Sequence, residues 1–171
     1  STRRATLFPY TTLFRSGSMK IRPLTSDPRD MQGVLDLARQ FHAESPHYSP
    51  IEFQPDVVAA EIVRTLTMPA YGSFVAEAED GQIVGVIAGF AACMLFNRAL
   101  RITDTMFYVA PKARRTGAGQ ALLEAFEGLG RERGAFESQM VVTSKIGEDK
   151  VRRTYEAAGY EVVGFVVRKS L

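Results

Sequence analysis

The sequence predicts a single α/β domain, a mixed and mostly antiparallel sheet with helices on both faces. Three observations carry this expectation. Short runs rich in Val, Ile and Phe alternate with segments whose apolar residues recur at helical spacing. Asp80-Gly81 separates two such runs as a two-residue hairpin turn, and a run ending at Val109 enters a glycine-rich loop that opens a helix. A length of 171 residues, 46% apolar and 23% charged, suits one domain with a real core and leaves little room for two.

Residues 20–23 form a short strand candidate. Ser26-Asp27-Pro28 then supplies a capping side chain and a proline suited to a first helical turn. Met31, Leu35, Ala38 and Phe41 give that helix its apolar stripe, which ends near Ser45-Pro46. After a loop at 47–55, Val58, Ile62 and Leu66 mark a second amphipathic helix closed by Pro69. Residues 73–78 and 82–94 are the arms of the hairpin, and 102–109 the next strand. Ala118, Leu122, Ala125, Phe126 and Leu129 line one side of the helix after the loop. A strand at 139–143 and a helix from about 148 to 158 follow, with Gly159 placed to end the helix in the left-handed conformation. The β-branched run 161–169 is expected to close the sheet.

No apolar run approaches the roughly 20 residues that span a bilayer, so no membrane partner is expected. Cys93 is the only cysteine, which excludes an intrachain disulfide and a multi-cysteine metal site and fits a reducing, cytoplasmic setting. Residues 1–18 hold Arg3, Arg4 and Arg15 and no acidic residue. Within them, TLFPYTTLFRS resembles the translation of a common sequencing adapter, and Met19 follows as a natural start. Residues 1–18 are therefore read as a non-native extension and 19–171 as the domain. Without the three arginines the formal charge of +2 becomes −1, which removes the basis for nucleic-acid binding. His42, Glu44 and His47 lack a helical ligand pattern, and no metal is assigned to them.

The loop after Val109 is the most informative segment. Pro111, Lys112, Arg114 and Arg115 lead into Thr116-Gly117-Ala118-Gly119 at a helix start. Unpaired N–H groups there point outward, and glycine lets phosphate oxygens approach them. The helix dipole contributes only about 0.3–1 kcal/mol per charge, so directed N–H bonds and arginines must supply most of any anion binding. Taken alone, the loop is equally read as a helix that begins with glycines. It is not a Walker A loop, which needs Gly-Lys followed by Ser or Thr, and a dinucleotide fingerprint would need glycine where Leu122 stands.

Arg114, Gly117 and Gly119 match the Gln/Arg-x-x-Gly-x-Gly/Ala signature of the GNAT acetyltransferases. The segment Arg-Thr-Tyr-Glu-Ala-Ala-Gly-Tyr, residues 153–160, is similar to that family's Phe-Tyr-Glu-Lys-Leu-Gly-Phe motif. The resemblance spans 19–171 in element order and implies a GNAT fold of six or seven strands. It also implies acetyl-CoA as acyl donor, with the pyrophosphate on Arg114, Arg115, Thr116, Gly117, Ala118, Gly119 and Gln120. The pantetheine arm would then lie along the backbone of Phe107, Tyr108 and Val109. Transfer to an amine would be direct, and Tyr155 corresponds to the family tyrosine that meets the departing sulfur. With reference pKa values of about 10 for tyrosine and 8.5 for a thiol, Tyr155 suits a hydrogen bond to the thiolate better than full proton transfer. Glu148 stands where many members carry Asn.

Asp104 is the nearest candidate base for the amine's proton, its alternative being a solvent-facing charge; Glu44 is a second candidate, suited to a cationic amine. The acceptor is a small-molecule or protein amine that the sequence does not choose, and a homodimer is compatible with it. The alternative function is a non-catalytic acyl-CoA-binding sensor or interaction module of the same fold.

Overall fold

The structure is a computed structural model that describes residues 19–169; the segment 1–18, with its three arginines, lies outside the described residues. The chain runs β1 (Lys20–Pro23), α1 (Pro28–Glu44), α2 (Pro55–Thr67), β2 (Tyr71–Glu77), β3 (Ile83–Cys93), β4 (Leu100–Val109), α3 (Ala118–Glu132), β5 (Ala135–Gln139) and α4 (Glu148–Ala157). Among the described residues one sheet forms in the order β1-β2-β3-β4-β5, antiparallel throughout except for the parallel pair β4/β5.

Local chemistry sets the element ends. Asp27 caps α1 by accepting the Arg29 N–H at 2.8 Å. Gly81 and Gly159 take φ of +80° and +89°, where an L side chain is disfavoured. Arg22 donates to both Asp30 and Glu77, joining β1 to α1 and β2, and it holds the Asp30 carboxyl down at about 2.

The sheet separates two apolar layers. On one face Val34 and Leu37 of α1 and Ile62 of α2 pack on Val75, Val86 and Tyr108; Met31, Leu35 and Phe41 flank this cluster, so Val34 and Leu37 are the centre of the α1 stripe. On the other face Leu122, Leu123 and Phe126 of α3 pack on Ala76, Ile87 and Ile102, with Tyr155 and Tyr160 at the margin. Phe126, Leu122 and Ile87 are fully buried, and each contributes on the order of 2–3 kcal/mol of burial free energy.

Two sequence expectations are corrected. The strand expected at 139–143 lies at Ala135–Gln139 instead. Gly134, with φ +74°, turns the chain out of α3, so pairing with Leu100–Thr103 of β4 starts at once. Val141, Val142 and Thr143 have the composition of a strand, but β4 offers them no ladder, because the Asp104 side chain accepts the Val141 N–H at 2.9 Å. The strand expected at 161–169 does not form, and Val162, Val163, Phe165, Val166 and Val167 are exposed. The sheet therefore has five strands among the described residues rather than six or seven.

Candidate active site

The site is built around β4, which is kinked by one extra residue. Ala88 pairs with Met106 and Gly89 with Asp104, leaving Thr105 as a bulge. Gly89 makes the bulge possible, since a Cβ there would stand 2.1 Å from the Thr103 carbonyl oxygen and 2.6 Å from Phe126 Cζ. β4 and β5 pair only as far as Thr103 and Gln139, and beyond that point they part. The β5 side of β4 from Asp104 to Val109 thus has no neighbouring strand.

Asp104 stands at the fork. Burial raises its carboxyl to about 6, against the stabilising hydrogen bond from Val141 N–H. Tyr155 of α4 lies beside it, edge-on to Phe107 of β4 (6.5 Å between centroids) and to Tyr160 (5.3 Å). Burial, and then the Asp104 charge, push the Tyr155 hydroxyl well above its ordinary value, so it stays a neutral donor. Tyr160 anchors this end of α4: its hydroxyl is 2.9 Å from both Glu127 of α3 and Ser138 of β5.

At the other end of β4 the chain passes Ala110 and a short 3-10 turn, Pro111–Ala113, before α3. Arg115 and Gly117 both adopt positive φ, +74° and +87°, so the chain makes a tight left-handed turn into α3. Among the described residues the N–H groups of Arg115, Gly117, Gly119 and Gln120 have no acceptor, whereas that of Ala118 faces Thr116 Oγ1 at 3.4 Å. A hollow of about 170 Å³ lies beside the start of α3, between Thr116, Gly117, Ala118, Gln120, Ala121 and Glu124 on one side and Met19 and Ile21 on the other. A Cβ on Gly119 would face β4, with Val109 Cγ2 at 3.8 Å and Phe107 Cζ at 3.9 Å as its nearest neighbours beyond its own turn of helix.

The Arg114 side chain turns away from this loop. Its Nη1 and Nη2 each donate to Glu44 at 2.6 Å, its Nε donates to the Val109 carbonyl at 3.0 Å, and the guanidinium lies over the Tyr108 ring. Tyr108 also donates to Glu44, at 2.7 Å. Glu44 is consequently held below the usual carboxylate range, chiefly by Arg114, while burial and Glu44 push Tyr108 up to about 12. The last residue of α1 is thereby fastened to the end of β4. Immediately after it, Ser45 Oγ donates to the Ser144 carbonyl at 2.6 Å, and Tyr48 meets Thr143 at 2.8 Å. The end of α1 thus braces both arms of the fork.

The structure brings Asp104, Phe107 and Tyr155 together and gathers Arg115 to Gln120 into the loop and first turn of α3, with Glu44 on the opposite face beside Tyr108 and Arg114. Sequence reasoning missed Gly89, Ser45, Tyr48 and the anchoring role of Tyr160. A glycine inside an apolar strand was the one signal available for Gly89. His42 and His47 are engaged locally, His42 with the Ile51 carbonyl at 2.6 Å and His47 against the Tyr48 ring. Among the described residues no cluster of His, Cys, Asp or Glu could hold a metal ion, and no helix is long and apolar enough to cross a membrane.

Sheet order, forked parallel pair and helix-capping glycine turn together define an acyltransferase-type α/β domain. The chain belongs to the GNAT acetyltransferase family, matching the model described as "Acetyltransferase (GNAT) domain" over residues 69–162. No curated protein matches it. Among solved structures it is similar to AAC(6')-Iy in complex with the bisubstrate analogue CoA-S-monomethyl-acetylneamine, at 18% identity and a TM-score of 0.74, covering 90% of this chain and 98% of that one. Glucosamine-6-phosphate N-acetyltransferase from Arabidopsis thaliana is similar at 16% identity and a TM-score of 0.68, with the same coverage. The aminoglycoside antibiotic 6'-N-acetyltransferase AAC(6')-Ih from Acinetobacter baumannii gives 16% and 0.70, again covering 90% and 98%. At these identities the likeness is one of fold.

Proposed function

We propose that this protein transfers the acetyl group of acetyl-CoA directly to an amine of a small molecule or protein. One juxtaposition carries this reading: free amides at the start of α3, and a parted strand pair whose fork holds Asp104 and Tyr155, at opposite ends of the same stretch of β4. Arg115 to Gln120 bind the pyrophosphate through backbone amides. With its guanidinium held by Glu44, Arg114 acts as a brace for the loop. The unpaired β4 backbone from Phe107 to Val109 offers the pantetheine arm the hydrogen bonds that a neighbouring strand would otherwise take. Comparison with a protein solved with a CoA-derived analogue supports the choice of donor.

The amine nitrogen attacks the thioester carbonyl carbon, the C–S bond breaks, and the amine gives up one proton as CoA leaves as a thiolate. Asp104 accepts that proton, directly or through a water. Its pKa of about 6 leaves it ionised at neutral pH yet more basic than an ordinary aspartate. Glu44 is the weaker base, because Arg114 and Tyr108 engage its oxygens and hold it in the ionised form. Tyr155 donates a hydrogen bond to the thiolate; its raised pKa makes full proton transfer still less favourable than for a free tyrosine. The test is release of free CoA thiol from acetyl-CoA across a panel of polyamines, aminoglycosides, amino sugars and peptide amines. Release with at least one acceptor class is expected. Tight acetyl-CoA binding without release from any amine would instead favour a sensor.

A further inference from the structure

Beyond Gln139 the β5 arm of the fork has no ladder to hold it. From Val141 to Ile146 the chain makes no backbone-to-backbone hydrogen bond among the described residues. A segment released in this way samples many conformations unless side chains fix it. Three contacts do so here. Asp104 of β4 accepts the Val141 N–H at 2.9 Å, Tyr48 meets the Thr143 hydroxyl at 2.8 Å, and Ser45 Oγ donates to the Ser144 carbonyl at 2.6 Å. The first contact involves the candidate base itself, and the other two come from the end of α1.

We propose that Ser45 and Tyr48 are positioning residues for Asp104: by clasping residues 143–144 they hold the Val141 N–H against Asp104 Oδ1 and so fix the carboxylate in the fork. Its catalytic consequence rests on the reading of Asp104 as the base.

The clasp is built as a rigid piece. Ser45 is fully buried, and its Oγ also accepts the N–H groups of His47 and Tyr48, each at 3.2 Å. The hydroxyl that ties down Ser144 therefore also turns the loop that carries Tyr48. The Tyr48 ring stands edge-on to Phe41 at 5.5 Å, and Phe41 stacks on Tyr108 of β4 at 5.1 Å. Glu44, one residue before Ser45, is held by Arg114 and Tyr108. The end of α1 is thus fixed to β4 and cannot follow residues 143–144 if they drift. It joins the two arms where strand pairing does not.

The effect on Asp104 has a definite sign. Hydrogen bonding from Val141 favours the ionised carboxyl and opposes burial, which wins and lifts the group to about 6. Releasing residues 141–144 weakens that bond, so Asp104 moves further up. Around it, β3 presents Gly89, while α4 and the residues after it present the hydroxyls of Tyr155 and Tyr160, which burial keeps neutral. Glu127 of α3 accepts from Tyr160, and Glu44 of α1 is taken up by Arg114. Removing a hydroxyl at 45, 48 or 143 changes none of these charges.

The test titrates Asp104 by carbon-13 NMR of its carboxyl in the full chain, with Asp104→Asn to assign the signal. In Ser45→Ala and in the milder Tyr48→Phe the midpoint is expected to rise by at least ~0.5 pH unit, as part of a hydrogen bond to the charged form is lost. The Val141 amide is expected to exchange with solvent at least ~10-fold faster. Thr143→Val is expected to behave as Tyr48→Phe does, and Thr143→Ser, which keeps the hydroxyl, to retain the parent midpoint. An unchanged midpoint in Tyr48→Phe and Thr143→Val, both folded by circular dichroism, would overturn the proposal. So would a Val141 amide that exchanges at the parent rate in both. In turnover, the rising limb of the pH–rate profile is expected to move with the midpoint while KM for acetyl-CoA stays unchanged. A midpoint that rises while the limb stays in place would uphold the clasp and remove Asp104 as the base.

Discussion

Replacing Asp104 by Asn separates stability from catalysis. Burial lifts the Asp104 pKa from 3.8 to about 6, which means that the folded state favours the protonated carboxyl. Between those two values the native protein binds more protons than the unfolded chain. Stability therefore falls as pH rises through that window and is flat above it. The whole interval corresponds to about 3 kcal/mol, lost in full at neutral pH. Asn retains an oxygen to accept the Val141 N–H and carries no charge to desolvate. Asp104→Asn is thus expected to stabilise the fold by about 1–3 kcal/mol at pH 7.5 and to give no gain near pH 3.5. Urea denaturation at the two pH values measures this. The same variant is expected to lose about 10²–10⁴-fold in kcat/KM and to lose the limb of the pH–rate profile that rises through about pH 6. Glu44→Gln is expected to keep that limb. Destabilisation of Asp104→Asn at pH 7.5, or retention of the limb, would refute the assignment.

Tyr155→Phe is expected to lower kcat at least ~10-fold with little change in KM for acetyl-CoA, because the hydroxyl acts on charge that develops only as sulfur departs; steady-state kinetics on the best acceptor decides this. Gly89→Ala is expected to destabilise by about 2–3 kcal/mol or more in urea, since the new methyl meets a backbone oxygen 2.1 Å away and Phe126 at 2.6 Å. Because that strain falls on the bulge beside Asp104, turnover is expected to fall as well, measured at a temperature where the variant remains folded.

Features set by neighbouring residues were legible in the sequence. Asp27 caps α1 and Gly159 ends α4, each through chemistry within a few residues, and Gly81 closes the hairpin, though in a three-residue loop of Glu79 to Gly81 flanked by Ala78 and Gln82 rather than the two-residue turn that Asp80-Gly81 suggests. The glycine-rich turn that opens α3 was legible for the same reason, since it needs only the backbone before Ala118. What the sequence hid depends on distant partners. Val141-Val142-Thr143 has a strand's composition, but Asp104, from another strand, captures the Val141 N–H and ends the pairing. Arg114 reads in the sequence as part of the loop alone, and its pairing with Glu44, seventy residues earlier, had no local signal. The bulge at Thr105 depends on Gly89 packing against Phe126, a contact that no local pattern announces. The tail has the composition of a strand, and among the described residues no strand pairs with it.

The central claim is that the amides of Arg115 to Gln120 hold the pyrophosphate of acetyl-CoA, and thermal unfolding against acetyl-CoA concentration tests it most directly when Gly119→Val is run in parallel. A Cβ at 119 meets Val109 Cγ2 and Phe107 Cζ only at ordinary contact distance, 3.8 and 3.9 Å, so the variant is expected to fold while its side chain fills space between the start of α3 and β4. The parent protein is expected to gain about 2.7 kcal/mol of stability at a ligand concentration of ~100 Kd, and the variant to need at least ~10-fold more ligand for the same gain. No stabilisation of the parent, or equal stabilisation of both, would contradict the claim.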